Sequence, residues 1–383
     1  MAHWTRRAAL AGAAGLGGCA SLPATAPAPL WPATLVPVRL TPDRLTHITV
    51  CARPFRPQGP RMEVEQIGQK RVVHNYGHGG AGWSLSWAAA EIAAAQALAG
   101  GGVTSVAVIG AGAMGLTTAF ALAQAGAAVT IYARDLPSES RSARATGAWS
   151  PDSRIGLADR APAGFPAVWE AMARRSYATH NSYVGLAGAP VEWVDRYTLY
   201  DTPTPSRNAP APGLDFLNLN GRLAGLTPTS RTLAPEEHPF KAASARRGLA
   251  MIFNVAEYAH RVMIDFLAAG GRIERRTFPD ALAILALAQP VIVNCTGMDA
   301  KSLWKDDTLV PVRGQIAWLA PEPAARYAVY YRDVTVLPRR DGVVVQYRGP
   351  NDGFGYGVAE ESPDQEEFLR ALAAVQPAFE GWT

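Results

Sequence analysis

One stretch constrains the fold more than any other: residues 103–126, VTSVAVIGAGAMGLTTAFALAQAG. The spacing predicts a buried strand over Val106, Ala107, Val108 and Ile109, a glycine turn, and then a helix. The turn, Gly110-Ala111-Gly112-Ala113-Met114-Gly115, is a complete G-x-G-x-x-G. Gly110 permits the sharp exit from the strand, Gly112 lets the backbone approach a pyrophosphate, and Gly115 lets the helix pack closely on the sheet. The free N–H groups and the positive end of the helix dipole then face the phosphates. A second strand over residues 128–132 ends at Arg134-Asp135. An acid about twenty positions past the glycines is where a ribose hydroxyl finds its acceptor. The expectation is a dinucleotide site, with FAD and NAD(P) both open at this point.

A chain of 383 residues has room for two or three domains. The net charge of +4 comes without a long Lys/Arg run or interleaved aromatics, which excludes nucleic acid as an expected partner. Cys19, Cys51 and Cys295 are too dispersed for a disulfide framework or a metal-ligand spacing, so no metal is expected. A second helix entry precedes the first. Gly77, Gly79, Gly80 and Gly82 run into Trp83 and Ser84, and a helix follows to about Gly100. Two glycine-led helix starts in one chain suit an anionic ligand gripped at both ends. Residues 155–248 read as antiparallel strands of a covering domain. The chain then returns to α/β: a helix over 254–269, a strand over 272–276, a buried strand over 290–297, a hairpin turning at Asp341-Gly342, and a last helix over 364–375.

RPFRPQGPRMEVE (residues 53–65) followed by HNYGHGGAGWSLSW (74–87) resembles a C-terminal signature of the D-amino-acid oxidase family of flavoproteins. Residues 290–297, PVIVNCTG, resemble the family's second FAD signature, and VRGQI (312–316) and YAVYYRDVTVLPRRDGVVV (327–345) continue the likeness. The resemblance implies FAD rather than NAD(P). It implies an α/β fold: an FAD-binding Rossmann-like domain with a mixed or antiparallel β substrate domain. In the family the first signature follows the glycine turn, whereas here it precedes it. A circular permutation accounts for that order, since surface termini lying close together can be relocated without changing the fold. The expected division is 45–156 with 251–310 for the FAD-binding domain (45–100 being the displaced limb) and 157–250 with 311–383 for the substrate domain.

The resemblance also implies roles. Gly110, Ala111, Gly112, Met114, Gly115, Ser142, Thr146, Gly147, Thr296 and Gly297 are expected around FAD, with Arg134 or Asp135 at the adenosine ribose. Gly79, Gly80, Gly82, Trp83 and Ser84 are expected to stabilise negative charge on the reduced ring. Arg53 is the expected substrate-carboxylate clamp, because guanidinium meets carboxylate in a two-bond fork. Tyr331 matches the family's active-site tyrosine, Thr335 stands near the place of a second, and Tyr347 can substitute for it. The implied reaction oxidises the Cα–N bond of a D-amino acid to a 2-oxo acid and ammonia, with dioxygen or another electron acceptor. Two alternatives are an envelope dehydrogenase using a quinone-type acceptor and a non-catalytic flavin-binding protein.

Residues 1–23 read as a targeting segment, and 24–44 as a Pro-rich tether. Arg6-Arg7 precede an apolar run too short to span a bilayer. Leu16-Gly17-Gly18-Cys19 resembles a bacterial lipoprotein box, which implies export to the cell envelope and a lipid anchor at Cys19. The alternative is a cytoplasmic protein with an incidental basic start.

Overall fold

The computed structural model describes residues 35–202 and 211–382. In chain order the first elements are β1 (Leu45–Phe55), β2 (Val64–Ile67), β3 (Lys70–His74), α1 (Gly82–Leu98), β4 (Ser105–Ile109), α2 (Ala113–Gln124) and β5 (Ala128–Ala133). The middle holds α3 (Phe165–Asn181), β6 (Val191–Tyr200), β7 (Arg231–Leu233), β8 (Ser244–Phe253), α4 (Val255–Ala268) and β9 (Arg272–Arg275). Then come α5 (Ala281–Leu285), β10 (Val291–Asn294), α6 (Ala300–Leu303), β11 (Val310–Leu319), β12 (Tyr327–Tyr331), β13 (Val334–Arg339), β14 (Gly342–Tyr347) and α7 (Gln365–Val375).

Two sheets organise these elements. The first runs β2-β3-β10-β4-β5-β9. Its last five strands are parallel, and β2 joins β3 antiparallel at the edge. β3, β4 and β10 are nearly continuous apolar runs (Val72, Val73; Val106 to Ile109; Val291 to Val293), as strands covered on both faces must be. α1 and α2 pack side by side over this sheet through alanines at close-packed positions, among them Ala89, Ala93 and Ala97 of α1 and Ala113 and Ala119 of α2. α4 closes the same layer with Tyr258, Val262 and Phe266 on its buried face.

The second sheet runs β1-β11-β14-β13-β12-β6-β8-β7. It is antiparallel except where β12 meets β6. β1 pairs with β11 along almost its whole length, from Leu45↔Leu319 to Phe55↔Val310. Sheet membership therefore divides the displaced limb. β1, grouped above with the FAD-binding part, hydrogen-bonds into the antiparallel sheet, while β2, β3 and α1 join the parallel one. β3 lies directly against β10, Val73 opposite Val293, and β10 lies against β4, Val293 opposite Val108.

One stretch expected as strands is a helix. α3 occupies residues 165–181 and buries Trp169, Met172, Ala173, Ser176 and His180. Those positions recur every three or four residues, a helical signature that the neighbouring aromatic-polar alternation obscured. His180 ties α3 inward: its Nδ1 lies 2.7 Å from the Tyr258 hydroxyl, which also accepts from Trp87 Nε1 at 2.7 Å. Burial pushes the His180 ring down to about 3, so it stays neutral and serves as a packing hub between α1, α3 and α4.

The two ends of the described chain meet. Gln376 donates to the Leu40 carbonyl at 2.6 Å, and Tyr327 both donates to the Val36 carbonyl and stacks near Trp382. Meanwhile α1 and β4 are joined only by a short glycine-rich connection, with Gly100, Gly101 and Gly102 all at positive φ. A chain opened at Gly101 and joined by a flexible linker from Trp382 to Val36 is expected to fold to the same circular-dichroism spectrum and to retain bound flavin. Failure to fold with several linker lengths would count against the permuted-order reading.

Candidate functional site

Between the two sheets lies a cavity of about 540 Å³, within the usual range for small-molecule sites. Both glycine-led helix starts open into it. At α2, Gly112, Ala113 and Met114 line the wall, and the Ala113 N–H donates to Ser142 Oγ at 3.0 Å. Gly110, Ala111 and Gly115 sit behind that wall and do not line the cavity. Gly110 has φ +105°, and a side-chain carbon there would lie 2.6 Å from the Cys295 carbonyl oxygen. At Gly115 it would lie 1.9 Å from the Gly110 oxygen. These two glycines thus serve sheet–helix approach, and Gly112 faces the ligand space.

At α1 the logic repeats. A side-chain carbon on Gly79 would meet the Arg154 carbonyl oxygen at 1.9 Å, and the Gly80 N–H donates to the Ser153 carbonyl at 2.9 Å. Gly82, the first residue of α1, has no protein atom within 4 Å of where such a carbon would stand. No side chain caps this helix start. Trp83 Nε1 donates to the Ser142 carbonyl at 2.9 Å, and Ser84 Oγ accepts from the Ser150 N–H at 2.8 Å. The loop behind β5, carrying Ser142, Thr146 and Gly147, is therefore strung between the two helix starts. Thr146 donates onward to Gln346 at 2.7 Å.

Several expected cofactor residues stand outside the cavity lining. Arg134 and Asp135 form a close ion pair with each other at 2.7 Å, and Arg134 also reaches Asp299 at 2.9 Å. The Arg134 hydrogen bond holds the Asp135 carboxyl below its ordinary range. Thr296 is turned to Asn294, donating to its Oδ1 at 2.7 Å, whereas Gly297 lines the cavity.

The antiparallel sheet forms the opposite wall. Tyr330, Thr335 and Gln346 are paired in register across β12, β13 and β14, so their side chains share one face, and all three line the cavity. Tyr331 does not, and its expected place in the active site is corrected here. Strand alternation turns it to the other face, where its hydroxyl donates to Asp201 and Arg332 lies 4.8 Å over its ring. The tyrosine that faces the ligand space is its neighbour Tyr330. Tyr347 lines the cavity near Phe354, 5.3 Å away in an edge-on contact.

Arg53 enters from β1. Gly314 on β11, opposite Cys51, gives it room: a side-chain carbon there would lie 3.3 Å from the guanidinium. Arg53 donates to the Val312 and Arg313 carbonyls, each at 3.1 Å, and has no carboxylate partner among the described residues. Burial, with Arg154 adding to it, lowers its proton affinity, yet a guanidinium remains charged at neutral pH. The cavity thus holds a cation that the fold orients but does not neutralise. Asp152, Arg154, Tyr330, Gln346 and Arg348 also line the cavity, and they were not expected there from the sequence. Tyr330 and Gln346 were recoverable from hairpin register; Arg154 and Asp152 carry no local signal.

The residues fit a bound dinucleotide. Asn75 Oδ1 and both ring nitrogens of His78 are buried without a hydrogen-bond partner, and both residues line the cavity. Burial pushes the His78 ring down to about 3, leaving it neutral. Gly82 and Gly297 hold open space that no protein atom occupies within 3.8 Å. Among the described residues no cluster of ligands suits a metal ion.

Two helix N-termini on a parallel sheet, faced by an antiparallel wall carrying an unneutralised arginine, define a dinucleotide-binding fold with an enclosed cavity at the helix starts. Residues 105–382 match the family model described as FAD dependent oxidoreductase, the DAO family, and the chain belongs to that family. FAD is its cofactor, and it is an oxidoreductase. Over 288 residues it is 30% identical to a D-amino-acid oxidase of Streptomyces coelicolor, covering 72% of this chain and 79% of that one. A D-amino-acid oxidase of Rubrobacter xylanophilus is 28% identical over 290 residues, with 73% and 79% covered. Glycine oxidase from Geobacillus kaustophilus shares the fold, at TM-score 0.50 and 16% identity over 72% of this chain and 78% of that one.

Tyr331→Phe is expected to lower stability by about 1 kcal/mol through loss of the Asp201 bond, and to leave kcat and KM for an amine substrate unchanged. Thermal unfolding and steady-state kinetics check this. A large fall in kcat would return Tyr331 to the site.

Proposed function

We propose that this chain oxidises the Cα–N bond of a D-amino acid, yielding an imine that water hydrolyses to a 2-oxo acid and ammonia. The observation that carries the reading is Arg53, an arginine without a carboxylate partner in the same cavity as both glycine-led helix starts. When bound, FAD supplies the two-electron acceptor for the hydride leaving Cα. The chain's own residues bind and orient. Arg53 forks onto the substrate carboxylate and fixes which Cα substituent faces the ring. Its two carbonyl bonds hold the guanidinium in place before substrate arrives, so little ordering remains to be done on binding. The uncapped N–H groups at the start of α1 favour negative charge at that end of the cavity. The Tyr330–Thr335–Gln346 row closes the opposite side and limits water.

The decisive experiment is anaerobic flavin bleaching against paired D- and L-amino acids. Bleaching by D-enantiomers and not by L-enantiomers is expected. Arg53→Met is expected to reduce kcat/KM roughly 100-fold or more, since it removes a charge-assisted fork worth roughly 3 kcal/mol. Bleaching by L-amino acids alone would overturn the proposal. Hydrogen peroxide formation in air would separate an oxidase from a dehydrogenase that passes electrons to a quinone-type acceptor.

We also propose export and lipid anchoring at Cys19. The supporting features are Arg6-Arg7, the short apolar run and Leu16-Gly17-Gly18-Cys19, which lie outside the described residues. Expressed in a bacterium with lipoprotein processing, the protein is expected to incorporate labelled palmitate and to lose it in Cys19→Ser. An unlabelled, soluble, full-length product would overturn the anchoring.

A further inference from the structure

Six arginines line the cavity: Arg53, Arg141, Arg144, Arg154, Arg313 and Arg348. Three of them are neutralised by the fold. Arg141 and Arg144 reach Glu361 at 2.7 and 3.6 Å, and Arg313 reaches Glu367 at 2.7 Å. The other three, Arg53, Arg154 and Arg348, have no carboxylate partner among the described residues. They also feel one another: burial lowers the proton affinity of Arg53 and Arg154, Arg154 adds to this at Arg53, and at Arg154 the effect of Arg348 adds to it while that of Asp352 opposes it. Like charges gathered in one enclosed space are costly unless an anion joins them.

The two unpaired arginines beyond Arg53 are held deliberately. Arg154 stands at φ +50°, the left-handed region in which a glycine would be unstrained, and its carbonyl packs onto Gly79. Its Nε donates to the Asp352 backbone carbonyl at 2.9 Å, leaving the rest of the fork free. Arg348 lies 5.4 Å over the Tyr330 ring, and its Nε is buried without a partner. The nearby acids do not cancel these charges. Asp352 is exposed and makes no ion pair with Arg154, to which it is tied by its backbone carbonyl, so its charge offsets that of Arg154 only in part. Asp152 makes no ion pair among the described residues, and burial pushes its carboxyl up to about 6, towards the neutral form.

An amino acid with an uncharged side chain brings one carboxylate, which Arg53 takes. We propose that Arg154 and Arg348 form a second clamp for a side-chain carboxylate, so that the preferred substrate is a dicarboxylic D-amino acid. This rests on the D-amino-acid reading above and sharpens it. A bidentate guanidinium–carboxylate contact gives geometry as well as charge, and a site built for it discriminates strongly against an uncharged isostere.

The test compares D-glutamate and D-aspartate with D-glutamine, D-norvaline and D-lysine on the flavin-loaded enzyme. Anaerobic bleaching rates and steady-state kcat/KM are both measured. A kcat/KM for D-glutamate or D-aspartate at least ~10-fold above that for D-glutamine is expected. In Arg348→Met that ratio is expected to fall towards one, mainly through KM, and Arg348→Glu is expected to move the preference towards D-lysine. Arg154→Met tests the same point, and flavin content confirms that each variant is folded; should Arg154→Met lose flavin, Arg348→Met decides. D-Glutamine or D-norvaline equal to or better than D-glutamate would overturn the second clamp while leaving the D-amino-acid reading intact. So would an unchanged ratio in Arg348→Met. Absence of bleaching by every D-amino acid would instead bring down the reading on which this one rests.

Discussion

The site depends on the backbone ladder that sets β10 between β3 and β4. Val293 lies opposite Val73 on one side and Val108 on the other. That ladder brings three remote pieces of sequence to one edge of one sheet: the glycine run before α1, the glycine turn before α2, and the Cys295–Gly297 turn. The approach is tight enough that carbonyl oxygens occupy the space where side chains would begin. Cys295 O stands against Gly110, and Gly110 O against Gly115. Packing of this kind leaves little freedom, so the helix starts are fixed relative to each other before any ligand arrives.

The strands and helices of the parallel layer were legible in the sequence because each carries its own period. β4, β5 and α4 fall within a residue or two of the positions their patterns indicate, α2 follows the glycine turn as expected, and β10 starts on schedule but ends at Asn294, three residues before Gly297. Even α7 is announced by its cap, Asp364, whose carboxylate accepts from the Glu366 and Glu367 N–H groups. What the sequence hid was set by partners far along the chain. β1 contains the expected clamp, but nothing local says that it pairs with β11 and not with the parallel strands. The one-residue error between Tyr331 and Tyr330 has the same origin. Both are tyrosines on one strand, and only the pairing of Tyr330 with Thr335, and of Thr335 with Gln346, says which faces inward. Arg154 was invisible because its role comes from a strained backbone in an irregular turn, where no period operates.

Electrostatically the arginines that line the cavity fall into two sets. Around Ser142 the arginines are balanced by Glu361 and Asp299, so their charge is shared within the protein. Arg53, Arg154 and Arg348 have no ion pair among the described residues, and they come from three different segments: β1, the turn at 151–154 and the residue after β14. The neutral, buried His78 adds hydrogen-bonding capacity to the cavity without adding charge.

The pairing of β1 with β11 has a consequence for how the molecule is made. β1 leaves the ribosome early, yet Cys51 finds its neighbour only when Gly314 has been synthesised. Until then an eleven-residue strand presents an open edge, a template for intermolecular pairing. Such long-range closure is entropically slow. Arg53, carried on β1, is therefore made long before the strand that seats it.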